Sequence, residues 1–119
     1  MLTHEENRIS GKYIKELREK KLNLTQEKFA QFLGISLRTV SRWEQEESSP
    51  EPYLEEKLIR LSKIVNKLTK MKGKNIALWL QTPRREFYGQ PPIDLIGSEF
   101  GYNELSHAIK EWAEEGAPS

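Results

Sequence analysis

The stretch LTQEKFAQFLGISLRTVSRWE, residues 24–44, decides how this chain is read. Thr25 is placed to cap a helix over Gln26–Leu33, accepting a hydrogen bond from an amide that has no partner inside the helix. Phe29, Ala30 and Leu33 share one face of that helix. Gly34 ends it, because glycine takes the left-handed backbone that a tight exit needs. Ser36 caps the next helix, Leu37 to about Gln45, with Val40 and Trp43 inward. Ala30 is small enough for the two helices to cross closely, and Ile35 with Val40 fills the angle between them. Two helices joined by a turn of about three residues containing glycine form a helix-turn-helix. The competing reading is a plain αα-corner with no role on DNA.

Outward from this pair, helical spacing recurs and strand signals are few. Ser10–Lys21 reads as a first helix, with Ile14 and Leu17 inward. Ser48-Ser49-Pro50-Glu51-Pro52 is a break. A longer helix, Pro52 to Lys70, carries Leu54, Leu58, Leu61, Val65 and Leu68 on one stripe, which either packs inside the chain or forms a dimer seam. Met71-Lys72-Gly73-Lys74 reads as a hinge. Beyond it, Ile76–Leu80 is a short helix that ends before Pro83. Pro92 can open another over Ile93–Ile96, closed by Gly97. The last helix, about Tyr102–Glu115, aligns Leu105, Ala108, Ile109 and Trp112. The fold expected is all-α: a helix-turn-helix bundle over 1–70, then a small helical domain over 71–119.

The 119 residues are 36% apolar and 31% charged, with a mean hydropathy of −0.74. Two small helical units suit this polarity better than one large core. Three Trp, four Tyr and four Phe argue against disorder. No apolar run approaches the ~18 residues a membrane span needs. The absence of Cys excludes disulfides, thiolate zinc sites and thiol nucleophiles. Met1–Glu6 has no basic segment followed by an apolar stretch, so no secretory signal is expected and the expected address is cytoplasmic. The net charge is only +1, but it is unevenly placed. Residues 8–74 hold 16 basic and 9 acidic side chains; residues 75–119 hold 3 and 7. Such asymmetry suggests two partners of opposite sign.

The segment from Ser10 to Ile64 resembles the Xre/Cro phage-repressor-like helix-turn-helix family. In that family the helix after the turn enters the major groove. The resemblance implies that Leu37, Arg38 and Arg42 face base edges, with Ser41 at the margin and Ser36 and Thr39 at the entry to the helix. Gln26 matches a position that binds a backbone phosphate. Glu44 matches an acid that pairs with a basic residue of the first helix, here Arg18. Lys20-Lys21-Leu22-Asn23 is one residue longer than the usual connection.

Elementary chemistry agrees with that reading. Arg38 and Arg42 lie four apart on one helical face. A guanidinium can donate two bonds to guanine O6 and N7, worth about 1–3 kcal/mol of discrimination each. Leu37 can touch a thymine methyl. Lys12, Lys15, Lys20, Lys21 and Lys28 are available to phosphates. Such motifs usually act as dimers on half-sites about one helical turn (~34 Å) apart. The expected partner is therefore double-stranded DNA, a palindromic operator bound by a homodimer.

Trp79-Leu80-Gln81-Thr82-Pro83, followed by Gly89-Gln90-Pro91-Pro92-Ile93-Asp94-Leu95-Ile96, resembles the toxin-binding domain of the ParS/MbcA/Xre antitoxins. Arg84-Arg85-Glu86-Phe87-Tyr88 replaces that family's usual Asn-Pro-x-Leu turn. The resemblance implies a RES-domain, NAD-consuming toxin as partner, and a complex that represses its own operon. Trp79, Pro83, Tyr88, Pro92 and Leu95 are the implied partner-binding residues. Exposed aromatics suit such a role, although Trp79, Phe87, Tyr88, Tyr102 and Trp112 can equally be core.

Catalysis is not expected. The only two His, His4 and His107, have no second ligand at metal spacing, and no glycine-rich phosphate loop is present. Neither metal nor cofactor is expected. The function expected is that of a sequence-specific repressor acting as the antitoxin of a type II toxin–antitoxin pair. The alternative is a stand-alone Xre-family regulator whose C-terminal half only oligomerises.

Overall fold

Hydroxyl caps and left-handed exits set the helix boundaries of the N-terminal half. The computed structural model of the protein describes residues 9–71 and 75–115. Most of the described residues are helical, and there is no strand among them. Helix α1 (Gly11–Glu16) opens at Ser10, whose Oγ accepts from the Tyr13 amide at 3.1 Å. It continues as a π-turn over Leu17–Lys21, where Leu22 N donates to Leu17 O at 3.0 Å. A π-turn holds one more residue than an α-turn.

Asn23, at φ 55°, then reverses the chain. Helix α2 (Gln26–Leu33) starts at Thr25, whose Oγ1 accepts from Lys28 N at 3.1 Å. It ends at Gly34, φ 73°, with Ile35 N on Ala30 O at 2.9 Å and Gly34 N on Gln31 O at 3.2 Å. This pair of bonds satisfies carbonyls that the helix would leave open. Helix α3 (Leu37–Glu44) follows.

Contacts divide the chain into two units, residues 1–59 and 60–119. The division falls inside the twenty-residue helix α4 (Pro52–Met71). Ile14, Phe29, Val40, Trp43 and Leu58 are buried in the first unit. The α4 stripe is used within the chain: Leu54 and Leu58 are buried in the first unit, Leu61, Val65 and Leu68 in the second. Of the two readings of that stripe, packing is the one observed.

The second unit contains α5 (Ile76–Gln81), capped by Asn75, then a 3₁₀ turn over Arg85–Phe87. Helix α6 (Pro92–Leu95) begins at Pro92, and helix α7 spans Glu99–Glu115. Leu80, Ile96, Leu105 and Ile109 are buried among them. Arg60 donates to Ile96 O at 3.3 Å, and Lys67 Nζ to Ser106 Oγ at 2.7 Å. Both bonds tie the second half of α4 to later elements.

Helix α7 begins three residues before the expected Tyr102. Ser98 caps it, its Oγ accepting from Gly101 N at 3.0 Å. Glu99 in the first turn suits the helix dipole. Gly101 lies within the helix and packs against the backbone of Leu95. A Cβ there would stand 2.3 Å from Leu95 O. Of the expected hinge at 71–74, Met71 ends α4; residues 72–74, the first eight residues and the last four lie outside the described residues.

Gly101→Ala is therefore expected to cost about 1–3 kcal/mol through forced separation of α6 and α7. Gly97→Ala, whose added carbon meets nothing nearer than 3.9 Å, is expected to be close to neutral. Thermal unfolding of the two variants checks this; equal melting temperatures would contradict the packing described.

Candidate nucleic-acid interface

One face of α3 is left to solvent. Ser36 fixes its start: Ser36 Oγ accepts from Thr39 N at 3.1 Å and lies 2.8 Å from Thr39 Oγ1. Leu37 is 45% exposed although it is a large aliphatic residue. Arg38 and Arg42 are exposed, and Ser41 is half-buried. Leu37, Arg38, Ser41 and Arg42 line one shallow groove together with Gln45 and Glu47. Gln45 Nε2 reaches Ser41 Oγ at 3.3 Å. Gln45 and Glu47 were not singled out in the sequence. Gln45 continues the stripe begun by Arg38 and Arg42 at helical spacing; Glu47, beyond the helix end, has no periodic signal.

The C-terminal end of α3 is held to the π-turn after α1 by an ion pair and to the start of α2 by a hydrogen bond. Arg18 Nε lies 2.6 Å and its Nη2 2.9 Å from the two oxygens of Glu44, a bidentate pair. The side chains are 7% and 4% exposed. Arg18 Nη1 also donates to Leu24 O at 2.8 Å, and Gln26 Nε2 donates to Glu44 Oε1 at 3.0 Å. The Arg18–Glu44 pairing expected from the resemblance is present. Gln26 stands outside the groove, its amide group holding Glu44. Burial pushes the Glu44 carboxyl up. The hydrogen bonds from Arg18 and Gln26 and the Arg18 charge outweigh it, and the carboxyl lies below its ordinary range. The hydrogen bond to Glu44 raises Arg18 more than burial lowers it.

The far end of α3 is closed by a left-handed residue that is not glycine. Glu46 has φ 62°, a conformation costing about 1–2 kcal/mol for an L residue. Glu46 N meets Trp43 O at 3.1 Å, and Glu47 N meets Arg42 O at 2.9 Å. The Glu46 carboxylate accepts from Gly11 N at 2.8 Å, at the start of α1. A carboxylate is favoured at a helix N-terminus, and this contact offsets the backbone strain.

In the second unit the expected partner-binding residues divide. Pro92 and Leu95 are buried in the unit's own packing. Trp79 is half-buried, set edge-on to Trp112 at 5.6 Å with the Arg84 guanidinium 5.1 Å from its ring centre. Phe87 is buried and lies 6.5 Å from Trp112. Pro83 is exposed. Tyr88 is 95% exposed at φ 57°, on a turn closed by Gly89 N on Arg84 O at 2.9 Å and Arg84 N on Gln90 O at 3.2 Å. Leu78 and Phe100, not anticipated from the sequence, are 60% and 74% exposed.

Because Glu44 is more acidic in the folded protein than in the unfolded chain, its ion pair adds stability above about pH 4.5, its ordinary value. That contribution is lost as the pH falls through the lower folded value. Glu44→Gln leaves Arg18 buried without its counter-charge, at a cost on the order of 3 kcal/mol at neutral pH. Urea titrations across the acid range are expected to show a shallower loss of stability in this variant than in the parent. Identical acid profiles would contradict the assignment.

Comparison with known proteins places this geometry. The sequence profile of the helix-turn-helix family matches residues 14–69. No curated protein matches the chain. Among solved structures, a chain of the M. tuberculosis MbcT–MbcA toxin–antitoxin complex is similar in fold, with a TM-score of 0.70 at 23% identity. The match covers 91% of this chain and 96% of that one. No described helix is long and apolar enough to cross a membrane. With the turn at Gly34 and the exposed face of α3, the family match shows that residues 14–69 form a helix-turn-helix domain.

Proposed function

We propose that the protein is a sequence-specific DNA-binding repressor and the antitoxin of a type II toxin–antitoxin pair. The carrying observation is the α3 face: two exposed arginines and an exposed leucine on a helix whose inner side is buried at Val40 and Trp43 and whose C-terminal end is held by Arg18 and Glu44. A face so held presents its groups without further ordering on binding. Arg38 and Arg42 donate to guanine, Leu37 meets a thymine methyl, and Ser36, Thr39, Ser41 and Gln26 serve the flanking backbone. The protein acts as a homodimer on a palindromic operator, in the cytoplasm with the DNA it reads. No catalytic role, metal or cofactor is part of this reading.

The antitoxin part is supported by a likeness that runs through both units rather than the helix-turn-helix alone. The partner proposed is a RES-domain toxin that consumes NAD, and the complex represses its own operon. Tyr88 is the partner anchor this structure favours, since its backbone is held by the closed turn and its ring is almost wholly in solvent. Pro83 and the outer edge of Trp79 flank the same segment in sequence, while buried Pro92 and Leu95 shape the unit beneath.

Two measurements test the reading. Arg38→Ala and Arg42→Ala are each expected to cost about 1–3 kcal/mol of preference for the gene's own upstream duplex over random duplex. Unchanged preference in both would reject the DNA face. Co-expression with the neighbouring gene's product is expected to give a stable complex that Tyr88→Ala weakens by about 2 kcal/mol. A lone homodimer with undiminished operator affinity would instead favour the stand-alone regulator.

A further inference from the structure

A carboxylate stands in the groove that otherwise presents cations. Glu47 lines it beside Arg42, with Oε1 4.0 Å from Arg42 Nε, and both side chains are about half exposed. Two forces disfavour it there. It follows the C-terminal end of α3, the negative pole of the helix, where acids are destabilising. It also sits on the face proposed to meet a polyanion, where each acid opposes phosphate approach. Its place is not a free choice of a mobile loop, because Glu47 N is bonded to Arg42 O at 2.9 Å. The left-handed Glu46 before it is held by Gly11.

We propose that Glu47 is a specificity-determining residue that positions Arg42 and penalises contact with DNA lacking the right bases. This inference rests on the DNA-reading function proposed above. The mechanism follows from charge and direction. Glu47 attracts the Nε side of the Arg42 guanidinium, so the two terminal nitrogens are turned toward an incoming base edge. On a site with guanine at that position, O6 and N7 accept from those nitrogens and the geometry is matched. On other sequences Arg42 would fall back on phosphate, and there Glu47 cancels part of its attraction. Removing the acid therefore strengthens binding in general while blurring the choice of sequence. Such an effect is one of discrimination between partners, made by a repulsive element.

The test uses the full chain, the gene's own upstream duplex and a random duplex of equal length. Glu47→Gln and Glu47→Ala are expected to tighten binding to the random duplex about two- to fivefold. The salt dependence on that duplex should steepen by about one ion, and the preference for the upstream duplex should fall. Glu47→Asp should restore the preference at least in part. Thermal unfolding of each variant guards against a merely structural effect, since removing a half-exposed acid from a helix C-terminus should leave the melting temperature unchanged or slightly raised. If the preference is the same in Glu47→Ala as in the parent while Arg42→Ala reduces it, Glu47 has no such role and the DNA face stands. If the parent itself shows no preference, or Arg42→Ala alters nothing, the DNA reading fails and this inference with it.

Discussion

A guanidinium and a carboxylate, both almost wholly out of water, meet where three short helices converge. The Arg18–Glu44 pair is bidentate, and its remaining capacity is used by Leu24 O and by the Gln26 amide. A buried charge with any of these partners missing would be costly, so the pair tolerates only one arrangement of the elements that carry them. Arg18 lies on the π-turn after α1, Gln26 opens α2 and Glu44 ends α3. The helices are six to eight residues long, too short to be stable alone. Their orientation comes from this polar clamp together with burial of Phe29, Val40 and Trp43.

Everything outward-facing on α3 follows from that constraint. One end of the helix is set by the Ser36 hydroxyl, the other by the left-handed Glu46 and its bond to Gly11. Between them Val40 and Trp43 are committed to the core and Glu44 to the ion pair. Leu37, Arg38 and Arg42 are left exposed, with Thr39 and Ser41 half-buried beside them. The arginines are exposed because the same helix spends its inward positions on packing, and their four-residue spacing puts them on one line.

The second unit solves a different problem. Its elements are short, and its aromatic residues pack on one another: Trp79 edge-on to Trp112, Phe87 beside them, Arg84 over the indole. The turn that carries Arg84 is thereby anchored at its base, and Tyr88 is left at its tip. Close approach at Gly101 and the Ser98 cap bring α7 directly onto α6. Sequence order and spatial role separate here: neighbours Phe87 and Tyr88 have opposite fates, one buried and one in solvent.

Local rules were enough for the helix-turn-helix. Thr25, Gly34 and Ser36 are chemically specific to their positions, so the limits of α2 and α3 were legible residue by residue, as was the stripe of α4; the acid–base pair of Arg18 with Glu44 followed from the family resemblance and not from a local rule. The sequence likewise marked Leu37, Arg38 and Arg42 as one face, because helical periodicity is a local property. Tertiary structure decided the rest. Whether the α4 stripe faced this chain or another, and whether Pro92 and Leu95 lay at the surface, depend on residues distant in the chain. The same holds for Glu47, which enters the groove through a reversed backbone turn that no repeat in the sequence announces. Periodicity and caps act within a turn or two of helix; burial and the approach of one backbone to another are set only when the whole chain has folded.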